Sequence, residues 1–378
     1  EALATIPEAD SGEPYATWLY SVIARKLDSQ ITSYARAAGV SEAEASKLAV
    51  ELMQLDIAPS RTKSRTPSAK DSLMACLDLK SRLERVAGLI ANNPDNWVCY
   101  KHLTPRGKVS SVEFKPVLLG GLSHRYLFDQ ADKVILISAT LNSGPFLRGL
   151  GIRKSDVASY IDVASTFPLE NRPIIVQYCG SMSYANKAAT LPRIADKVDH
   201  IVGTWHPSQK GCVHTHSFSH TRALKELLPE RTASRIIWHT QSSQSIESLL
   251  KEFYTSENMW IASPSCSEGL DGKGDRIRAQ IIIKAPYGMV KDPRVAARLG
   301  MPDGRTWYSI DAQNTLLQAY GRGTRSQSDW SVTYVLDSSI SDLVLRNRKH
   351  LPKWFLATWA KSDAKNWVLR EGRWHPAG

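Results

Sequence analysis

Three residues in the stretch QAYGRGTRSQSD (318–329) have types and spacing suited to phosphate chemistry: Gln318, Arg322 and Arg325. Helical spacing puts Gln318 and Arg322 on one face and Arg325 about one turn further along. An arginine so presented offers a planar fork of donors to phosphate. As an arginine finger it offsets charge that develops on a transferred phosphoryl group. A surface helix making salt bridges uses the same residue types, so the triplet alone leaves both readings open. A second stretch, SEGLDGKGD (267–275), sets Glu268 and Asp271 among Gly269, Gly272 and Gly274, a composition that lets backbone approach a ligand closely. The two acids would also suit a paired-carboxylate glycosidase, a reading that nothing else in the chain supports. No G-x-x-x-x-G-K loop followed by Ser or Thr occurs in the 378 residues, and no G-x-S-x-G.

Other candidates compete with structural explanations. His214, Thr215 and His216, with His220 four further on, have the alternation of metal ligands on a strand, but histidine spacing alone is a weak motif. No metal site is assigned. The loop APSRTKSRTPSAK (58–70) carries Arg61, Lys63 and Arg65 among Pro, Ser and Thr, a composition that builds no core. It reads as a solvated basic loop or as a nucleic-acid contact. From Leu345 onward, Arg346, Arg348, Lys349 and Lys353 precede further Lys and Arg interleaved with Trp354, Trp359, Trp367 and Trp374. Indoles among cations suit stacking with single-stranded bases, and they equally suit anchoring a terminal segment to the core.

The elements that must position these residues follow from periodicity. Residues 1–95 read as helical: an amphipathic segment from Thr17 to Ala38, a second helix opened by a capping box at Ser41–Glu44, and a third over 71–90. WVCYKHL and KVSSVEFKPV, separated by TPRG, read as a β-hairpin. Then KVILIS, RPIIVQY, GCVHTHS, RIIWH, MWIASPS, AQIIIKA and SVTYVLD alternate with helical stretches, the pattern of a parallel sheet covered by helices. The fold class is α/β, preceded by a mainly helical region. Ligands in such sheets collect at the carboxyl ends of strands, which singles out Ser138 and Thr140, Ser217, and Ser267 to Asp271. QAYGRGTR is expected within a helical stretch before the last strand.

Composition bounds the partners. With 48 Lys and Arg against 37 Asp and Glu, the formal net charge is +11, which favours a polyanion such as nucleic acid and fits a generic basic surface equally well. Five cysteines, odd in number and never paired as C-x-x-C, argue against a disulfide framework or zinc ribbon and point to a reducing, cytoplasmic setting. No apolar run has the length a bilayer requires, so no membrane association is expected.

Taken in order, KVILISATL, STFPLENR, GCVHTHSFSHTRALKELL, WIASPSCSEGLDGKGDRIRAQIIIKAPYG and QAYGRGTRSQSDWSVTYVLD resemble the carboxyl-terminal half of superfamily-two DNA helicases of the XPD/DinG type. SATL resembles motif III, GCVHTHS motif IV, SEGLDGKGDRIR motif V, and Gln318 to Arg325 the Q-x-x-G-R-x-x-R of motif VI. Leu351 to Trp354 is similar to the family's usual ending. The likeness spans roughly residues 110–360.

The resemblance implies a RecA-like second motor domain over 156–378, the end of a first RecA-like domain over 96–155, and an arch-like helical region over 1–95. It implies that Arg322 and Arg325, with Gln318, serve the ATP phosphates, and that Glu268, Gly269, Asp271 and Gly321 belong to the same nucleotide interface. Ser217, Ser267 and Thr140 would face the nucleic acid. ATP and Mg²⁺ would be held mainly by the first motor domain, since the Walker A lysine loop and the D-E-A-H box lie upstream of motif III in the family, as do its iron–sulfur cysteines. No iron–sulfur cluster is supported within this segment. The expected partners are single-stranded or forked DNA and the first RecA-like domain of the same protein. The expected function is ATP-dependent DNA translocation; the alternative is a non-catalytic nucleic-acid-binding module without its own P-loop. KVILIS, as a first-domain strand deprived of most of its sheet, is expected to leave 110–150 less stable than 165–340.

Overall fold

The computed structural model describes residues 2–9, 11–54, 68–138, 140, 143–267, 269–346 and 348–377. They form two compact units, 1–126 with 290–300, and 127–289 with 301–378.

In the first unit, apolar residues at helical spacing bury one stripe of α1 (Glu13–Val22): Tyr15, Ala16, Trp18 and Leu19. The chain passes through a π-turn at Ile23–Leu27 into α2 (Asp28–Ala38), which Gly39 ends at φ 67°. The amphipathic segment expected from Thr17 to Ala38 therefore exists with a widened turn in its middle. α3 (Glu42–Gln54) opens on the expected box, with Glu44 N donating to Ser41 Oγ at 3.3 Å and Ser41 N to the Glu44 carboxylate at 2.9 Å. Ser68 and Asp71 cap α4 (Ala69–Asn92) in the same reciprocal way. Ala16, Trp18 and Leu19 pack with Ala87 and Ile90 of α4 and with Trp97. β1 (Trp97–Leu103) and β2 (Val109–Pro116) are the expected antiparallel hairpin, followed by α5 (Gly120–Tyr126). Tyr100 donates its hydroxyl to Asp292 Oδ1 at 2.8 Å, which ties residues 290–300 to this hairpin.

The second unit begins with α6 (Ser143–Gly149) and then builds a six-stranded parallel sheet. Its elements in order are β3 (Ile174–Gly180), α7 (Lys187–His200), β4 (Gly211–His214), α8 (Phe218–Leu227), α9 (Glu230–Ala233), β5 (Ile236–Trp238), α10 (Ile246–Thr255), β6 (Trp260–Ser263) and β7 (Ala279–Ile282). Past α11 (Pro293–Leu299), which belongs to the first unit, come α12 (Gly304–Tyr320), β8 (Val332–Asp337), α13 (Ser339–Arg346), α14 (Lys353–Trp359) and a terminal hairpin, β9 (Trp367–Arg370) with β10 (Arg373–Pro376). The strand order is β3-β8-β7-β4-β6-β5.

Alternation along the strands explains why both faces are covered. Val332, Tyr334 and Leu336 of β8, with Ala279, Ile281 and Ile283 at β7, enter one core with Ile194, Val198 and Ile201. Val335 and Ile282 enter the other, with Leu316, Leu317, Leu343 and Phe355 of the opposite helical layer. Apolar side chains on both faces are the property that makes such strands read as continuous hydrophobic runs.

Two expectations need correction. KVILIS forms no strand: among the described residues no segment pairs with it, and Ile135 and Ile137 are 85% and 91% exposed. Ile161 and Val163 are similarly bare, at 79% and 76%. Apolar alternation needs a ladder partner to become a strand, and here none of the described segments supplies one. The other concerns the arginines: α12 ends at Tyr320 with Gly321 as its C-cap, so Arg322 and Arg325 lie on the loop beyond the helix and not on its face.

Limited proteolysis should cut first between residues 127 and 165 and leave the sheet from β3 to β8 protected, as read by mass spectrometry of the fragments. Equal survival of the two regions would contradict this assignment of order.

Candidate functional site

The loop after α12 takes its shape from the loop between β6 and β7. Arg322 turns inward: Nη1 donates to the Leu270 carbonyl at 3.3 Å and Nη2 to the Ser267 carbonyl. The contact is close because residue 272 is glycine; a Cβ there would overlap the Arg322 carbonyl oxygen. Gly269 adopts φ 72°, a left-handed conformation that glycine takes without strain. Arg325 behaves differently. Its amide donates to Asp329 Oδ2 at 3.1 Å, while its guanidinium, 38% exposed, has Nε 3.7 Å from Asp271 Oδ1. Asp271 also receives Arg276 Nη1 at 3.0 Å. One arginine is thus committed to backbone carbonyls, and the other sits at the surface beside a shared, exposed carboxylate.

Gln318 is exposed on the last turn of α12, and Gly321 is exposed with its amide on the Leu317 carbonyl at 2.9 Å. Glu268, Arg61, Lys63 and Arg65 lie outside the described residues. Thr140 donates its amide to Ser138 Oγ at 3.2 Å, in a segment remote in sequence from the sheet. Ser217 is the N-cap of α8: its hydroxyl accepts from His220 N at 3.2 Å and lies 2.7 Å from His220 Nδ1.

At the carboxyl end of the sheet, β4 leads its chain toward one edge and β7 leads toward the other, which makes the space between them a topological switch point. A cleft opens there, lined by His214, His216, Ser267, Ile282, Lys284 and Thr315 among others. Lys284 is half-buried and donates to the Met182 carbonyl at 2.9 Å; burial lowers its pKa. Burial also lowers His216, and His220 is pushed down to about 4, by desolvation first and by Lys284 second. The cleft's lining thus combines one lysine with histidines whose protonated form burial disfavours.

The histidines do not converge. His214 Nε2 lies 3.3 Å from Gln280 Oε1, His216 Nε2 lies 2.6 Å from the Tyr287 carbonyl, and His220 turns to Ser217. Among the described residues no group of three or more His, Cys, Asp or Glu side chains forms a metal site. Of the tail tryptophans, Trp367 and Trp374 are buried in the sheet's core, Trp374 Nε1 donating to Tyr334 OH at 2.6 Å. Trp354 stacks on Tyr320, centroids 5.9 Å apart, and carries the Arg172 guanidinium 5.0 Å from its ring.

Sequence reasoning missed Gln280 and missed that Gly272 is where the arginine loop docks. Gln280, 1% exposed, donates Nε2 to the Tyr320 carbonyl and to Thr333 Oγ1, both at 2.8 Å, linking β7 and β8 to the end of α12. A glutamine beside the apolar run Ile281–Ile283 was the available signal, because a polar group buried on a central strand needs a partner. Gly272 gave only the general signal of a glycine-rich loop.

A six-stranded parallel sheet covered by helices on both faces is a RecA-like α/β fold, and comparisons with known proteins bear on it. Residues 204–358 match the family described as helicase C-terminal domain. The chain is 25% identical over 276 residues to the ATP-dependent DNA helicase DinG of Photobacterium profundum, covering 68% of this chain and 37% of that relative. It is 28% identical over 121 residues to a regulator of telomere elongation helicase 1 homolog of Caenorhabditis briggsae, covering 28% of this chain and 12% of the relative. A solved structure titled XPD_Helicase superposes with a TM-score of 0.50 at 15% identity, over 88% of this chain and 63% of that one, and supports the fold. Residues 204–358 are thus similar to a helicase C-terminal domain, and a longer stretch of the chain is similar to a DinG helicase. The chain spans well under half the length of the curated relatives named here. No helix among the described residues is long and apolar enough to cross a membrane.

Two outcomes follow from this geometry. Gly272→Ala should destabilise the second unit by about 1–3 kcal/mol through overpacking against the Arg322 carbonyl, read as a lowered urea midpoint; an unchanged midpoint would contradict the close approach. The second concerns acid. His206 and His214 are buried and pushed down to about 4, chiefly by desolvation. Between about pH 6.5 and 4 the unfolded chain binds protons that the folded chain refuses. Stability is full above that window and is lost as pH falls through it, by on the order of 3 kcal/mol for each buried imidazole. Urea unfolding at pH 7, 5.5 and 4.5 should show this decline, and His206→Gln should flatten it; equal slopes in the two proteins would contradict it.

Proposed function

We propose that this chain is the second motor half of an ATP-dependent DNA helicase and supplies guanidinium groups to a nucleotide held by a first RecA-like domain of the same protein. The observation that carries the reading is the docking of the arginine loop on the Ser267–Arg278 loop, which leaves Arg325 at the surface while Arg322 grips the neighbouring backbone. The donor set fits that role: the sequence has arginines at the helicase spacing, and Arg325 holds its guanidinium at the surface. ATP, bound with Mg²⁺ mainly by the first domain, supplies the phosphoanhydride whose hydrolysis drives movement.

In this reading Arg325 exchanges its loose contact with Asp271 for phosphate oxygens, where a charge-assisted fork is stronger than an exposed pair at 3.7 Å. Arg322 reports the arginine loop's position to the Ser267 and Leu270 backbone, and Glu268, Gly269 and Asp271 pass it toward the nucleic-acid face. Gln318 and Gly321 stand at the same interface. Ser217 and Ser267, with Lys284 in the cleft, receive the backbone of a single DNA strand, and Arg61, Lys63 and Arg65 add non-specific attraction. Thr140 belongs to the segment whose bare Ile135, Ile137, Ile161 and Val163 would complete the first domain's sheet.

The test uses the complete protein. Arg325→Ala should leave ATP affinity within a few-fold and lower DNA-stimulated turnover by about 10³ to 10⁵, the usual contribution of an arginine finger, and Arg322→Ala, which frees the loop that carries Arg325, should lower turnover as well. Unaltered turnover in both variants would remove the role. Salt-dependent strand binding that ignores nucleotide, with no hydrolysis by the wild-type protein, would favour a binding module instead.

A further inference from the structure

Asp329 accepts hydrogen bonds from four donors on two separate loops. It lies between α12 and β8 with its side chain only 5% exposed. Oδ2 accepts from Arg325 N at 3.1 Å and from Gly274 N at 3.3 Å. Oδ1 accepts from Arg278 Nη1 at 2.7 Å and from Trp330 N at 2.9 Å. Two of these donors belong to the arginine loop and two to the loop before β7, so one carboxylate joins both.

Its main cationic partner is itself immobilised. Arg278 donates Nε and Nη2 to Asp275 Oδ1 at 2.8 and 2.6 Å and Nη1 to the Trp330 carbonyl at 2.7 Å. Its guanidinium lies 4.7 Å from the centroid of the Trp330 ring, and Arg373 lies 5.2 Å from the same centroid. Arg373 in turn reaches Asn171 Oδ1 at 2.7 Å, and Asn171 Nδ2 reaches the Gln327 carbonyl at 2.7 Å. The loop from 325 to 330 is clamped at its main chain, while among the described residues the Arg325 guanidinium has the long contact with Asp271. A fixed pivot carrying a free head is the arrangement that a positioned finger needs.

We infer that Asp329 is a positioning residue: it holds the Arg325 main chain in register with the loop before β7, so that the Arg325 side chain projects from a fixed point. This rests on the helicase reading for what Arg325 reaches, and on the hydrogen bonds alone for how it is held. Asn in place of Asp329 keeps the shape but substitutes an NH₂ for one acceptor oxygen, so two of the four donors lose their partner in either orientation. Arg278→Lys keeps the charge and removes the fork that joins Asp329, Asp275 and Trp330.

The first measurement is amide hydrogen exchange by mass spectrometry on this chain, wild type against Asp329→Asn and Arg278→Lys. The expected result is that peptides covering 269–278 and 319–331 both exchange faster, by about tenfold or more, while those from β3 and β4 do not change. Faster exchange in the 319–331 peptide alone, or in neither, overturns the inference. The second measurement is steady-state ATP hydrolysis by the complete protein. Asp329→Asn should lower kcat by about 100-fold, the usual effect of misplacing a catalytic group by an ångström, with KM for ATP changed less than about twofold. A kcat equal to wild type overturns the inference, as does a loss carried wholly by KM. Should Asp329→Asn fail to fold, Arg278→Lys carries both measurements. A wild-type protein without ATPase activity would sink the helicase reading, and the exchange pattern alone would then decide whether Asp329 joins the two loops.

Discussion

The arginine loop has no regular structure of its own, and it is ordered because another loop gives it a surface to lie on. That surface exists only while residue 272 lacks a side chain, since the Arg322 carbonyl occupies the space that a Cβ would fill. Once the two backbones meet, Arg322 reaches the Ser267 and Leu270 carbonyls and the Arg325 amide comes within reach of Asp329. The exposed state of Arg325 is a consequence of this docking. A loop held at its main chain can present one long side chain to a partner without collapsing onto itself.

The sheet beneath supplies rigidity. Strands buried on both faces leave little freedom at their ends, so the segments that follow β4, β6 and β7 meet in a defined cleft. Gln280 extends that rigidity sideways: a single buried amide bonds the end of α12 and Thr333 of β8, making the start of the arginine loop part of the sheet's own hydrogen-bond system. The motor reading draws on this connection. Movement of a nucleotide phosphate against Arg325 would be felt at the Ser267–Arg278 loop through Arg322 and Asp329, and from there at the switch-point cleft where Ser267, His216 and Lys284 stand. The coupling proposed here runs through hydrogen-bonded backbone, over short distances, within one compact unit.

Much of this was legible in the sequence, for physical reasons that differ by element. The six strands announced themselves because both faces are apolar, and the helix start at Ser41 and the hairpin at Trp97–Pro116 because capping and turn chemistry are local. The order of motifs pointed to the family whose helicase C-terminal model covers 204–358. Local rules failed where tertiary partners decide. KVILIS has a strand's composition, yet pairing is a property of neighbours, and its isoleucines stand exposed. Helical spacing from Gln318 to Arg325 suggested a common face, but the helix ends at Tyr320 with Gly321 as its cap, and Arg322 turns inward. Arg278 and Asp329 lie 51 residues apart, and no periodicity relates them. The histidines at 214, 216 and 220 looked like a set in sequence and turn to three separate partners in space.

The central claim is that this chain's arginines serve a nucleotide bound by another domain of the same protein. The most direct measurement is to sequence the coding region on the 5′ side of the codon for Glu1. The account predicts an open frame that continues through a G-x-G-K loop and a D-E-A-H box. A frame that encodes neither would contradict it and leave a nucleic-acid-binding module without a motor.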